Sequence, residues 1–413
     1  MFRHVCLTLL WMYSAAGISV HAEALSLDAA LTLAEQQSPD LASQTADVDA
    51  ARSLSKSAGT LPTPRLAMGI ENMPVSGVDQ WSLGRDFMTM RKIGLMQELP
   101  NSKKRSAQID VATAAISRAE AQRHAQRLNV RRDTAIAWLN RYYLERRLQL
   151  LDDLEHENQL FAGNVQALLS SGKAMPADAV APRQEAAEIA DRRDVLNADI
   201  AKARAGLRRF IGMAADVELT SEAPIFPVNT DELREHVHEH ADLQVYAPML
   251  AIAQAEVREA QAMKRPDWEV EVSYGKRGAA FADMVSAQVT IGLPLFSNTR
   301  IEPQITAKRQ AVTRITAERD AMLREHTETL EAEIADYSAV TRQLTRARDI
   351  KLLLAQQKAD LQFSSYQANK ADLSAVLEAR RELINERLKF IELEASQAAL
   401  AAKLYYAYGE GAQ

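Results

Sequence analysis

Two periods alternate along the chain. Over long stretches apolar residues recur at spacings of seven, four and three, as in Leu323, Leu330, Ile334, Tyr337 and Leu344, and again in Leu154, Phe161 and Leu168. Arg, Glu and Gln fill the positions between, so each stretch predicts a helix that buries one seam against its neighbours, as in a coiled coil. Elsewhere the period drops to two. Trp268, Val270, Val272 and Tyr274 alternate with Asp267, Glu269, Glu271 and Ser273, and Val285, Ala287, Val289, Ile291 and Leu293 alternate with Ser286, Gln288, Thr290 and Gly292. Leu66, Met68 and Ile70 alternate with Arg65, Gly69 and Glu71, and a less regular run follows at residues 87–97. Alternation over about ten residues fits a half-buried soluble strand, or a barrel strand with lipid outside and water inside. On sequence both readings stay open.

Glycine and proline punctuate these stretches. Residues 101–162 and 304–408 contain neither, whereas Gly59, Pro62, Pro64, Gly69, Pro74, Gly77, Gly84, Gly94 and Pro100 crowd into one zone. Long uninterrupted helix therefore alternates with short non-helical patches. The span from Pro100 to Gly172 is 72 residues, roughly 108 Å at ~1.5 Å per residue. The patches recur. Asp40 and Leu41 match Asp242 and Leu243, and Pro64 matches Pro266, both at an offset of 202. Leu99 and Pro100 match Leu293 and Pro294 at 194, Ala179 and Val180 match Ala375 and Val376 at 196, and Gly212 matches Gly409 at 197. A period near 200 residues indicates a duplicated unit, helix, strand, loop, strand, long helix, turn, returning helix. The expected organisation is a first repeat at 23–213, a linker at 214–230 around Pro224 and Pro227, a second repeat at 231–409 and a tail at 410–413.

The N-terminus changes the compartment. Arg3 and His4 precede an apolar run at 5–20 that is too short for a comfortable membrane span, and Val20, His21 and Ala22 precede Glu23. This reads as a cleaved secretory signal at 1–22. A single cysteine, Cys6, excludes disulfide, zinc-ribbon and CxxC chemistry. It lies within the signal behind Arg3, His4 and Val5, which is no lipobox, so the mature chain is expected to carry neither cysteine nor lipid anchor. Removing Arg3 takes the formal net charge from −6 to −7, and the acidic balance argues against nucleic acid as a partner. No later segment offers the ~18 consecutive apolar residues of a helical span. Four strands are too few to close a barrel with a pore, and an open sheet cannot sit in lipid with unpaired edges. A membrane barrel would need several chains; three copies supply twelve strands.

A signal peptide, two repeats of two strands with a long helical hairpin, and proline at the strand-to-helix junctions resemble the TolC-type outer-membrane efflux proteins. The likeness runs from about residue 25 to 409. That family has, at its hairpin tips, Gly followed six residues on by an acidic residue. The first tip here, Gly172, Lys173, Ala174, Met175, Pro176, Ala177 and Asp178, keeps both. The second matches at Tyr366, Val376, Leu377, Glu378 and Ala379 and has Asn369 for the Gly, a mild change because Asn also enters the left-handed conformation. Ala371 and Ala375 stand where members with an ionic gate carry Arg and a second acid, so the likeness does not extend to an Arg–Asp lock. Gly69, Ile70, Glu71, Asn72, Met73 and Pro74, the run at 87–100, and Lys104 with Arg105 resemble the heavy-metal branch, the outer channels of tripartite cation and copper/silver exporters.

The resemblance implies a mainly α fold with a small membrane β part: a homotrimer whose twelve-stranded β-barrel in outer-membrane lipid continues as a coiled-coil α-barrel across the periplasm. Its partners would be a periplasmic adaptor and an inner-membrane proton-driven pump. It further implies that Asp178, Tyr366, Asp372 and Glu378 lie at the periplasmic mouth or gate. Gly172, Lys173, Asn369 and Lys370 would form the tips where the adaptor docks. The alternatives are the same channel serving drugs or type I secretion, and a soluble periplasmic adaptor, although an adaptor would show one hairpin and not a repeated unit.

Candidate chemistry is sparse. Five of the 13 Met residues lie between Met68 and Met96, including Met88 and Met90. Thioethers suit Cu(I) or Ag(I), and equally serve as apolar filler. His236 and His240 would share a helix face at i and i+4 with His238 between, as a divalent-metal site or as a solvated helix end. Asp178 and Glu378 are either ordinary carboxylates at helix starts or, under threefold symmetry, acidic rings that favour cations. Arg131, Arg132, Arg141, Arg146 and Arg147 read as a solvated coiled-coil face, without the stacking aromatics of a nucleic-acid surface. There is no GxSxG elbow, phosphate loop or HExxH, and hence no expected enzymatic activity and no cofactor.

Overall fold

The computed structural model describes residues 24–368 and 370–409. The expected signal at 1–22, the tip residue Asn369 and the tail at 410–413 lie outside the described residues. In chain order the first repeat contains α1 (Leu27–Gln37), α2 (Pro39–Ser55), β1 (Arg65–Glu71), β2 (Met90–Leu99), α3 (Ser102–Ser170) and α4 (Ala181–Ile211). The second contains α5 (Thr230–Glu235), α6 (Ala241–Gln244), α7 (Tyr246–Ala262), β3 (Trp268–Lys276), β4 (Met284–Ile291), α8 (Ser297–Arg300), α9 (Glu302–Arg346), α10 (Leu352–Gln367) and α11 (Leu373–Leu404).

The breaker-free runs are helical as expected. Helix α3 has 69 residues, about 104 Å at ~1.5 Å per residue. Helices α9 and α10 are joined by a π-helical turn, Ala347–Lys351. The leading helices are more divided than the pattern suggested. Pro39 holds Ser38 in extended backbone, φ −66 and ψ 116, so α1 ends there, and the Ser38 hydroxyl caps α2 by accepting from Leu41 N at 3.3 Å.

The four strands form one antiparallel sheet in the order β1-β2-β3-β4, so the β2–β3 pair joins the two repeats. Its register aligns the faces across all four strands: Leu66 opposes Leu95, which opposes Val272, which opposes Ala287; Met68, Ile93, Tyr274 and Val285 form the next row. This coherent apolar face is uncovered, with Met68 75% and Val285 74% exposed, while Ser273 on the polar face is 5% exposed. A soluble half-buried strand has the opposite arrangement. Among the described residues, β1 and β4 each present one unpaired edge.

The helical core lies where α1, α3, α4 and α11 meet, around Leu31, Trp138, Leu207, Ile211 and Ala402. Trp138 Nε1 donates to Leu25 O at 3.2 Å. Of the expected seam residues, Leu154, Phe161, Leu330 and Ile334 are at most 5% exposed, while Leu168, Leu323, Tyr337 and Leu344 are half-buried. The arginine face is not the solvated one anticipated. Arg141 is buried and donates to Ala215 O at 2.6 Å, Arg131 pairs with Glu35 at 2.6 Å, Arg146 with Glu394 at 2.9 Å and Arg147 with Glu392 at 3.3 Å. These arginines tie α3 to α1, to the turn after α4 and to α11, because a helix in a bundle has neighbours on more than its apolar seam.

Candidate functional site

The first tip is built by its glycine. Gly172 takes φ +70, and the amides of Gly172 and Lys173 return to Leu169 O and Leu168 O at 3.0 and 2.9 Å, which closes the C-terminus of α3. The chain then turns through Pro176–Val180, where Asp178 Oδ2 accepts from Met175 N at 3.0 Å. At the second tip Lys370 N donates to Ser365 O at 2.9 Å, the same chain span as Lys173 to Leu168. Gly172, Lys173 and Lys370 are exposed.

The two tips meet at a pair the sequence singled out only as separate residues. Tyr366 from α10 donates its hydroxyl to Asp178 Oδ2 at 2.9 Å. Burial, and the negative charge it faces, push the Tyr366 phenol up to about 12. Its ring packs with Phe161, Val165, Leu373 and Val376. Asp372, at the start of α11, and Glu378 are exposed and do not join this pair.

Behind the tips lies a stronger tie. Arg380 Nη2 donates to Glu185 Oε1 at 2.6 Å and its Nε lies 3.1 Å from Oε2, with the guanidinium 4.6 Å over the Phe161 ring. The Glu185 side chain is only 5% exposed. The sequence reading missed this pair, although it carried a signal. Arg380 and Glu185 are 195 positions apart, one short of the local repeat offset of 196, so opposite charges at nearly equivalent positions face each other between α4 and α11.

On the polar face of the sheet, Lys92 Nζ lies 3.0 Å from both Glu71 and Glu271, and Arg65 lies 2.6 Å from Glu98. Met90 and Met96 share that face by register, as does Met284, whereas Met68 is on the apolar one and Met73 and Met88 lie in the loop between β1 and β2. The five methionines are therefore not one cluster.

The histidines also separate. The expected i, i+4 face of His236 and His240 does not form, because α5 ends at His236, whose Nδ1 is 2.8 Å from Glu232 O. His238 is exposed in a short 3-10 turn. His240 instead starts α6, its Nδ1 accepting from Asp242 N at 3.2 Å, and its ring stacks on His326 of α9. Burial, then His326, push the His240 imidazole down to about 4 against the pull of Asp242.

Two strand pairs and two long hairpins on one chain have known counterparts. Residues 30–213 match the family model described as outer membrane efflux protein. In fold the chain is similar to the outer membrane protein VceC from Vibrio cholerae, at 20% identity and a TM-score of 0.75, over 93% of this chain and 96% of that one. The family match covers the first repeat, and the fold likeness continues through the second. CusC, solved for the conformational changes accompanying folding and transmembrane channel formation, is similar at 15% identity and a TM-score of 0.74, over 93% of this chain and 92% of that one. The open state of the MtrE outer membrane channel from Neisseria gonorrhoeae is similar at 14% identity and 0.71, over 93% and 88%. No curated protein matches this chain in sequence. OprN, described as an outer-membrane channel, is also similar in fold, at 16% identity and a TM-score of 0.75 over 93% of this chain and 89% of that one.

Proposed function

We propose that this chain is the outer-membrane channel of a tripartite efflux system and that its cargo is heavy-metal cations. The observation that carries the channel reading is the sheet. An apolar face left uncovered over four strands, backed by a polar face of paired charges and flanked by two free edges, has the chemistry of one sector of a barrel that other copies complete. Three copies close twelve strands in outer-membrane lipid, and the hairpins continue the tunnel into the periplasm. A soluble adaptor has no use for an outward apolar sheet.

Conduction needs no chemistry from the chain. An inner-membrane proton-driven pump supplies the energy, and a periplasmic adaptor docks at the tips around Gly172, Lys173, Asn369 and Lys370. The magnitudes suggest how the mouth parts. One tyrosine–carboxylate bond is worth about 1.5–3 kcal/mol, whereas breaking a buried ion pair such as Arg380–Glu185 costs about 3–5 kcal/mol. The Tyr366–Asp178 tie yields first, and the deeper pair keeps the hairpins together behind it.

The metal cargo draws support from Asp178, Asp372 and Glu378 around the tips, since rings of carboxylates favour cations. It also draws on Lys92, the lysine on the sheet's polar face, being flanked by two glutamates. Planar-bilayer recording of the detergent-purified protein tests the channel, and a lack of conductance would sink it. Growth of a deletion strain on graded Cu, Ag, Zn, Co and Cd tests the cargo; unchanged tolerance to all of them, with sensitivity to drugs, would reassign it.

A further inference from the structure

The described residues hold a cluster that neither conduction nor the tips use. His240, Asp242 and His326 each bring one ligand-type atom to a common point, all within 4.8 Å of one another. Asp242 Oδ2 lies 3.8 Å from His240 Nδ1 and 3.7 Å from His326 Nε2. These separations are too long for hydrogen bonds between the side chains, and His326 Nε2 is buried without a partner. A buried ring nitrogen without a partner is costly, and native structures rarely tolerate one without a reason.

Two imidazoles and a carboxylate are the donor set of a borderline divalent cation, Zn(II) above all. Ligand atoms held at ~2.0–2.2 Å around a tetrahedral ion lie about 3.3–3.6 Å apart. The separations from Asp242, 3.7 and 3.8 Å, exceed this by a few tenths of an ångström. A bound ion would take the His240 Nδ1 lone pair from the Asp242 amide and splay the two stacked rings. His240 and His326 are 12% and 14% exposed, while Asp242 at 45% leaves the cluster open to solvent on one side. The Tyr408 ring packs 5.1 Å from that of His240, and its hydroxyl faces His326 O at 3.4 Å. Arg132 of α3 is the nearby opposing charge, and its guanidinium is held by Asp133 at 2.8 Å.

We propose that His240, Asp242 and His326 form a divalent transition-metal site, with Zn(II) the best-fitting ion and water completing its shell. The site is independent of the cargo, since it lies away from both the sheet and the tips. It joins the segmented start of the second repeat to the long helix α9, two elements 86 residues apart in sequence at His240 and His326. A bound ion would staple them.

The test uses the full-length protein purified in detergent and stripped with a chelator, titrated with Zn(II) by calorimetry and with Co(II) by visible absorption. The expected result is one ion per chain with ligand-field bands for Co(II). His326→Gln weakens binding by more than about tenfold, and the double variant His236→Ala with His238→Ala leaves it unchanged. In thermal melts, saturating Zn(II) raises the melting temperature of the wild type and of the double variant. It raises neither His326→Gln nor the isosteric Asp242→Asn. Absence of saturable binding by the wild type, equal binding by His326→Gln, or loss of binding in the double variant would overturn the site.

Discussion

Tyr366 and Asp178 come from different repeats and meet through one hydrogen bond of 2.9 Å. Tyr366→Phe keeps the ring packing and removes that bond. In bilayer recordings the expected outcome is a higher conductance with the helical content unchanged, and an unaltered conductance would remove the pair from any gate. Arg380→Ala should be far more damaging, because it strands Glu185 in the interior at a cost of about 3–5 kcal/mol. A large fall in melting temperature is expected, mostly recovered when Glu185→Leu is combined with Arg380→Met. Glu35 makes a pH-dependent contribution. Burial alone would raise its carboxyl, but Arg131 and Arg127 outweigh burial and hold it below its ordinary value. A depressed carboxylate stabilises the fold above its unfolded pKa, and this contribution is lost as pH falls through the folded one. Glu35→Gln should therefore lower the melting temperature at pH 7, and the difference should shrink below the ordinary glutamate range and vanish once pH is below the depressed folded pKa. Pairs of this kind were only partly legible in the sequence. Asp178 and Tyr366 stood out by motif, but their bond spans 188 positions, and His240 was grouped with His236 because a helix was assumed where α5 in fact stops. The partner that matters, His326, gave no local signal.

Elements were easier to read, since their cause is local. The absence of glycine and proline from 101–162 sufficed to predict α3, and period-two alternation located β3 and β4. What the pattern did not contain was which face of the strands turns outward, because lipid-facing and core-facing strands alternate identically. Nor did it show the break at Ser38, a one-residue effect of Pro39. The junction of β2 with α3 shows how an element start is secured. Asn101 Oδ1 accepts from Lys104 N at 3.0 Å, while its own amide and Nδ2 donate to Asp267 Oδ1 at 2.8 and 2.9 Å. Asp267 directly precedes β3, so one side chain caps the long helix and fixes it to the next repeat. Asn101→Ala should cost about 1–2 kcal/mol and speed proteolysis near residues 100–104, measured against an unchanged rate at the tips. Gly59 is a second such point. Its φ is +65, and a Cβ there would stand 2.7 Å from Ile109 and 2.8 Å from Arg105 O, so no larger residue fits against α3.

At the scale of the whole molecule, the proposed trimer requires β4 of one protomer to pair with β1 of the next. Cys6 is the only cysteine in the chain, so engineered cysteines report cleanly. One cysteine at Ala67 combined with a panel at Val285, Ser286, Ala287 and Gln288 should give at least one pair that cross-links under mild oxidation. The expected product on a denaturing gel is a ladder ending at three chains; a ladder ending elsewhere, or none across the panel, would refute the closure. The β2–β3 pair has a consequence of its own. It is a seam between repeats inside one chain, and the β4–β1 pair would be the same antiparallel seam between chains. A ring of three protomers is then also a ring of six half-units, in which every second joint happens to be covalent. The peptide link near 214–230 acts as a tether that sets the order of the halves, and if that tether were cut the strand hydrogen bonds, the shared helical core and ion pairs such as Arg380–Glu185 would still join them.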